Sequence, residues 1–183
     1  MNSEDTGVLV QEVFNNPRHR KTLLLLDRDG TLNQDKGHTY KLEDLCIIEQ
    51  NVKHIRSLIN KQTSIYCITN QSGIGRGFYT SNQAFLFNSV LAERLRLFHV
   101  YIEKFIMCPH IPEDKCLCRK PKTLMIEMAL EESKVSPSNC TFIGNTTSDQ
   151  SASDLMNIHY CDVNSKDFER KILIRKNELS VDF

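Results

Sequence analysis

Cys108, His110, Cys116 and Cys118 fall within eleven residues, as Cys-x-His followed after five residues by Cys-x-Cys. Three thiolates and an imidazole are a soft N/S set, which suits zinc in a closed tetrahedral site. With all four positions filled by protein, such an ion would be structural. The alternative is a group of free thiols on a loop rich in proline (Pro109, Pro112, Pro121). A second constellation is Asp27 and Asp29, in Asp-Arg-Asp-Gly-Thr. Carboxylates two residues apart on extended backbone can point the same way, and a pair sharing a site can divide the work of nucleophile and proton carrier. The same spacing describes a solvated acidic turn, and spacing alone leaves both open.

These groups need elements to hold them. Thr22 to Leu26, Ser64 to Thr69, Lys104 to Cys108, Cys140 to Gly144 and Ile158 to Val163 read as short apolar strands. Segments of helical period lie between them, with Val52, Ile55, Leu58 and Ile59 on one predicted core face and Phe85, Leu86, Val90, Leu91, Leu95 and Phe98 on another. Thr80 with Gln83, and Thr147 with Gln150, have capping-box spacing and mark helix starts. Phe168 to Ile174 fits a last helix or a last strand. Strands alternating with helices predict an α/β fold, a Rossmann-like three-layer sandwich with a central, mostly parallel sheet. Ligands bind such sheets beyond the carboxyl ends of the strands. Gly30, Gly73, Gly75, Gly77 and Gly144 all follow predicted strands, where backbone must turn or approach a ligand. Cys46, Cys67, Cys140 and Cys161 sit in or beside apolar runs and read as buried small hydrophobes.

The 183 residues suffice for one core. Residues 1–20 read as an N-terminal extension outside the main fold and residues 21–183 as a single domain with the metal loop at 108–118. With 23 basic and 23 acidic residues there is no basic field to condense on phosphate backbones, so no nucleic-acid partner is expected. Apolar runs of four residues fall far short of the ~20 that span a bilayer. The acidic start, Met1 to Asp5, lacks the pattern of a secretory signal, and cytoplasmic location is the default expectation. Seven cysteines, three of them crowded together, fit metal binding in a reducing compartment better than a disulfide framework.

Leu26 to Asn33 resembles the first motif of the haloacid-dehalogenase superfamily of phosphohydrolases, and Ile68-Thr69-Asn70-Gln71-Ser72-Gly73 resembles its second. Arg119-Lys120-Pro121 is similar to the third motif, and Phe142-Ile143-Gly144 followed by Asp149 to the fourth. The cysteine loop resembles that of one branch, which contains the D-glycero-D-manno-heptose bisphosphate phosphatases and the histidinol-phosphate phosphatases. The resemblance implies a phosphatase with a minimal cap. Asp27 would be the nucleophile and Asp29 the general acid and base. Mg²⁺ would be held by Asp27, the Asp29 carbonyl and a group of the fourth motif. Phosphate and substrate would be bound by Thr69, Asn70, Gln71, Ser72, Arg119 and Lys120, with Asp35, Gly37 and His38 on a substrate loop. Zinc would stiffen the loop that carries Arg119 and Lys120.

The fourth motif departs from the pattern. Asn145 stands where an Asp is usual, and Thr146 where a basic residue is common. Asn offers the metal one carbonyl oxygen and no charge, so Mg²⁺ would bind more weakly unless Asp149 contributed. Three readings follow: a monomeric phosphatase of a small phosphorylated sugar, most simply a heptose bisphosphate; a phosphatase of an amino-alcohol phosphate, histidinol phosphate; or a catalytically weak homologue that binds a phosphorylated metabolite. A polynucleotide phosphatase is a remote fourth.

Overall fold

The computed structural model describes residues 7–14 and 20–181. Among them are six strands: β1 (Leu9–Glu12), β2 (Thr22–Leu26), β3 (Thr63–Asn70), β4 (Lys104–Cys108), β5 (Cys140–Gly144) and β6 (His159–Asp162). They form one sheet in the order β1-β4-β3-β2-β5-β6. β2 to β6 are parallel, and β1 lies antiparallel to β4 on the edge. β2 and β5 are buried along their whole length, as strands covered on both faces require.

Side-chain alternation along the strands divides the core in two. Leu24 and Leu26 of β2 face Val52 and Ile55 of helix α1 (Glu49–Ser57), together with Phe87, Leu91 and Leu95 of a later, longer helix and Phe168 and Ile172 of the last one. Leu23 and Leu25 face the other way. They pack with Met125, Ile126 and Ala129, and with Ala152, from two helices on the opposite side. In chain order these further helices are α2 (Ser72–Gly75), α3 (Ser81–Arg96), α4 (Leu124–Ser133), α5 (Thr147–Leu155) and α6 (Phe168–Val181). The result is the expected three-layer sandwich, with α1, α3 and α6 on one face and α4 and α5 on the other. Each fully buried leucine contributes about 1.5–3 kcal/mol. Among the described residues no helix is long and apolar enough to cross a membrane.

The structure corrects several expectations. Within residues 1–20, the described segment 7–14 is part of the fold. Val8 is buried, β1 pairs with β4, and the Val13 and Phe14 amides donate to the Glu103 carbonyl. A four-residue edge strand holds on through its backbone and leaves little side-chain pattern to read. Residues 1–6 and 15–19 of the expected extension lie outside the described residues. Leu86 is exposed because the buried stripe of α3 runs through Ala84, Phe87, Leu91 and Leu95 instead. Cys46 is exposed too, beside an isolated bridge rather than inside a strand. The capping box at Thr80 and Gln83 is present. The second is one residue earlier than expected, at Thr146 and Asp149, because the buried Asp149 carboxylate caps the helix start. Phe168 to Ile174 is helical.

Candidate active site

Five chain segments bring polar groups together at the carboxyl end of the sheet. Asp27 is the first residue past β2, and its amide donates to the Ile143 carbonyl of β5 at 2.9 Å, which fixes where the loop begins. Lys120 arrives from the loop beyond β4. Its Nζ donates to Asp27 Oδ1 at 2.6 Å and to the Ile68 carbonyl at 2.8 Å, and lies 2.6 Å from Asp149 Oδ1. Asn70 holds the Lys120 backbone at both ends, accepting from its amide and donating to its carbonyl. Burial works against the charge on Lys120, but Asp27 and Asp149 overcome it and hold the ammonium above the ordinary lysine range. Burial pushes the Asp27 carboxyl up to about 7, with Lys120 pulling the other way. For Asp149, Lys120 and the Thr146 hydrogen bonds outweigh burial and lower it.

Next to this pair stands a cluster of oxygens. Asn145 Oδ1 lies 3.2 Å from both Asp27 Oδ2 and the Asp29 carbonyl oxygen, with Thr31 Oγ1 donating to it at 3.4 Å. With the amide turned about, its nitrogen would instead donate to both acceptors. In the first orientation the two 3.2 Å spacings would suit Mg²⁺, whose octahedral shell at 2.0–2.1 Å sets neighbouring ligands roughly 3 Å apart. Asp27 and Asp149 share the Lys120 ammonium, and Asp29 pairs with the buried Arg28. Asp149 is the poorer candidate ligand. Its Oδ2 accepts from Thr146 Oγ1 and from the amides of Asn145 and Thr146, and its Oδ1 faces Lys120. Gly30 makes the cluster possible, because at φ +83° only glycine is unstrained and a Cβ there would run into the Asn145 amide.

The cluster opens into a cleft of about 360 Å³ whose walls include Asp27, Asp29, Thr69, Asn70, Ser72, Arg119 and Lys120, with Asp35, Gly37 and His38 on one side. The expected residues are thus brought together, but not all face outward. Gln71 is buried, and its side chain is fully engaged. Its Nε2 donates to Asp29 Oδ2 and Thr69 Oγ1, and its Oε1 accepts from Arg28 and Tyr79. Gln71 lines the cleft with the others, and its side-chain amide ties it to Asp29. On the rim, His38 meets Phe78 edge-on at 5.0 Å, and Phe78 is 56% exposed. Tyr79 and Ser148 also line the cleft, without a motif signal of their own, and so does Thr146, the fourth-motif position that departs from the basic residue common there. A cavity of similar size at the opposite end of the sheet, beside Phe14, Arg20 and Tyr101, has Glu103 as its only carboxylate.

The cysteine loop is built beside the cleft. Ligand atoms of Cys108, His110, Cys116 and Cys118 all lie within 4.8 Å of one another. Four of the spacings lie between 3.2 Å, His110 Nδ1 to Cys118 Sγ, and 3.7 Å, Cys108 Sγ to Cys116 Sγ. Those are close to the edges of a tetrahedron around zinc, for which Zn–S is about 2.3 Å. The Cys118 hydrogen bond draws the Cys108 thiol down to about 6, toward the thiolate a metal requires. Gly7, at φ +65°, closes over the imidazole: a Cβ there would sit 2.8 Å from His110 Cε1. Arg119 Nη1 donates to the His110 carbonyl, so the loop and the cleft share a wall.

The family model described as polynucleotide kinase 3 phosphatase matches residues 22–172. Over 129 residues the chain is 35% identical to the D-glycero-alpha-D-manno-heptose-1,7-bisphosphate 7-phosphatase of Campylobacter jejuni, covering 70% of this chain and 74% of that protein. It is 38% identical over 133 residues to the D-glycero-beta-D-manno-heptose-1,7-bisphosphate 7-phosphatase of Helicobacter pylori, covering 70% and 75%. The crystal structure of D,D-heptose 1,7-bisphosphate phosphatase from B. bronchiseptica, complexed with magnesium and phosphate, superposes with a TM-score of 0.72 at 26% identity, over 84% of this chain and 86% of that one. With its sheet order, its convergent strand-end carboxylates and these relatives, the chain belongs to the haloacid-dehalogenase-type phosphatases related to the heptose bisphosphate phosphatases, hydrolases of phosphoric monoesters.

Proposed function

We propose that the protein is a Mg²⁺-dependent phosphatase of a heptose 1,7-bisphosphate. The observation that carries the reading is the convergence of Asp27, Lys120 and Asp149 beside the oxygen cluster of Asp27, Asp29 and Asn145, in one cleft. The names of the relatives supply the sugar. Bound at that cluster, Mg²⁺ would supply positive charge to a phosphoryl oxygen and to the Asp27 carboxylate.

The protein's own residues do the rest. Lys120 holds Asp27 in place and gives the phosphoryl oxygens a fixed cation, and Thr69 adds a hydroxyl. An Asp27 oxygen attacks phosphorus in line. The bond from phosphorus to the sugar oxygen breaks, its electron pair leaves with that oxygen, and the Asp29 carboxyl supplies the proton. Asp29, now a carboxylate, takes a proton from water as that water attacks the aspartyl phosphate. The Asp27–phosphorus bond breaks, inorganic phosphate leaves, and Asp29 is protonated again. Asp35, Gly37, His38 and Arg119 border the space where a sugar and its second phosphate would lie. Zinc in the cysteine loop would have a structural role, fixing the approach of Arg119 and Lys120.

The test is phosphate release with and without Mg²⁺ from heptose 1,7-bisphosphate, histidinol phosphate and a 3′-phosphorylated oligonucleotide. The reading requires Mg²⁺-dependent turnover with the heptose preferred at least tenfold in kcat/KM. A preference for either other substrate would move the protein to that substrate class. No turnover on any, from protein that retains zinc and melts cooperatively, would favour the phosphometabolite-binding role that Asn145 in place of Asp suggests.

A further inference from the structure

Arg28 stands between the two aspartates of the first motif, and its side chain is wholly buried under the cleft. Nε and Nη2 donate to Asp29 Oδ2 at 3.0 and 2.7 Å. Nη2 also donates to the Thr39 carbonyl and to Gln71 Oε1, and Nη1 donates to Asn88 Oδ1 at 3.0 Å. The guanidinium lies over the Phe87 ring, 4.8 Å from its centroid. Asn88 in turn donates to Gln11 Oε1, so one polar chain runs from the edge strand β1 to Asp29.

Burying a guanidinium costs several kcal/mol of hydration, and replacing a buried ion pair by well-packed apolar side chains is often neutral or stabilising. Packing under α3 therefore gives no reason for an arginine. What the charge does is visible at Asp29. Arg28 twice and Gln71 once saturate Oδ2, while Oδ1 is buried with no partner among the described residues. Of the two carboxylate oxygens, only Oδ1 has its bonding capacity left for a proton and a leaving-group oxygen.

We propose that Arg28 is a positioning residue that commits Asp29 Oδ2 to the frame and so makes Oδ1 the oxygen that carries the proton in both half-reactions. The same guanidinium ties the carboxylate to the backbone of the rim loop through Thr39, which couples the acid to the wall that borders the substrate. The inference rests on the phosphatase reading above.

Leaving-group dependence tests it. Up to formation of the aspartyl phosphate, which kcat/KM reports, p-nitrophenolate departs without needing a proton, whereas a sugar oxygen needs one. In R28Q, kcat/KM for heptose bisphosphate should fall about 100-fold or more, the range for losing a positioned acid, while that for p-nitrophenyl phosphate falls less than about fivefold; R28K should recover part of the difference. Asn88→Leu, which removes only the Nη1 anchor, should show the same selective loss at about three- to tenfold, and carries the test should R28Q not melt cooperatively. Equal losses on both substrates, or no loss on either, would overturn the role of Arg28. Absence of Mg²⁺-dependent turnover in the wild type would instead remove the phosphatase reading itself.

Discussion

The cysteine loop and the oxygen-lined cleft meet at Arg119 and Lys120, but they are assembled on opposite terms. Four candidate ligands of the loop lie within eleven residues, on the end of β4 and the turn that follows it, and their donor atoms come together through local chain geometry. The cleft takes Asp27 from the end of β2, Thr69 from β3, Lys120 from the loop after β4 and Asn145 from the loop after β5, and the parallel sheet sets their spacing. The loop is a soft N/S set with charged neighbours, Lys122 donating to the Lys115 and Cys116 carbonyls and Arg119 to that of His110. The cleft is lined by hard groups, among them the carboxylates of Asp27, Asp29 and Asp35 and the cations of Arg119 and Lys120. The loop's donor set therefore depends on the local fold, whereas the cleft depends on the register of the whole sheet.

The sharpest way to separate the two is to take one charge from the cleft. Asp27→Asn keeps the shape and a hydrogen-bond acceptor for Lys120, so turnover should fall about 10⁴-fold or more while zinc content and the melting temperature do not fall. Steady-state phosphate release beside a thermal melt checks both; a variant that melts early would show that Asp27 is part of the scaffold. The loop should respond in the reverse way. Removing its metal with a chelator, or Cys116→Ser, is expected to cost on the order of 4 kcal/mol, about 10 °C in Tm for a chain of this size. Activity should disappear with the fold, as followed by zinc analysis and calorimetry. Retained stability in zinc-free protein would mean that the four residues are merely neighbouring thiols and an imidazole.

Asn145 sharpens the comparison within the cleft. An added carboxylate 3.2 Å from Asp27 Oδ2 and the Asp29 carbonyl repels both when no cation is present. Asn145→Asp should therefore lower the Tm of the metal-free protein and tighten Mg²⁺ binding about tenfold, both readable by calorimetry. Unchanged affinity would place the metal away from Asn145. The smallest effect is at the seam between the two regions. Gly7→Ala puts a Cβ against the His110 ring at a positive φ, and should cost about 1–2 kcal/mol with weaker zinc retention and unaltered kcat.

The same division explains what could be read in the sequence. The cysteine–histidine cluster, the strand-end motifs and the core stripes of β2, β3 and α1 were legible because each is local: a spacing, an apolar run, a period. Leu24 and Leu26 turn to one face and Leu23 and Leu25 to the other, as an alternating strand must. β1 was not legible, since an edge strand is held by backbone bonds to a partner more than ninety residues away. Nor were the partners of the Gln71 side chain, since Arg28, Asp29, Thr69 and Tyr79 are brought to it by the fold. Arg28 was in plain view in the first motif, but its partners Thr39, Gln71 and Asn88 come from three other segments. Tyr79 and Ser148 reach the cleft from helix starts that carry no catalytic signature.

The proposed role of Asp27 is that of nucleophile in a site completed by Asp29, Lys120 and Asn145. Its most direct test is to mix protein, Mg²⁺ and heptose 1,7-bisphosphate, quench in acid within the first turnover, and map the protein by tandem mass spectrometry. A phosphoryl group on the Asp27 side chain, absent without Mg²⁺ and absent in Asp27→Asn, is the expected result. Full turnover with an unmodified Asp27 at every quench time, and activity persisting in Asp27→Asn, would contradict it.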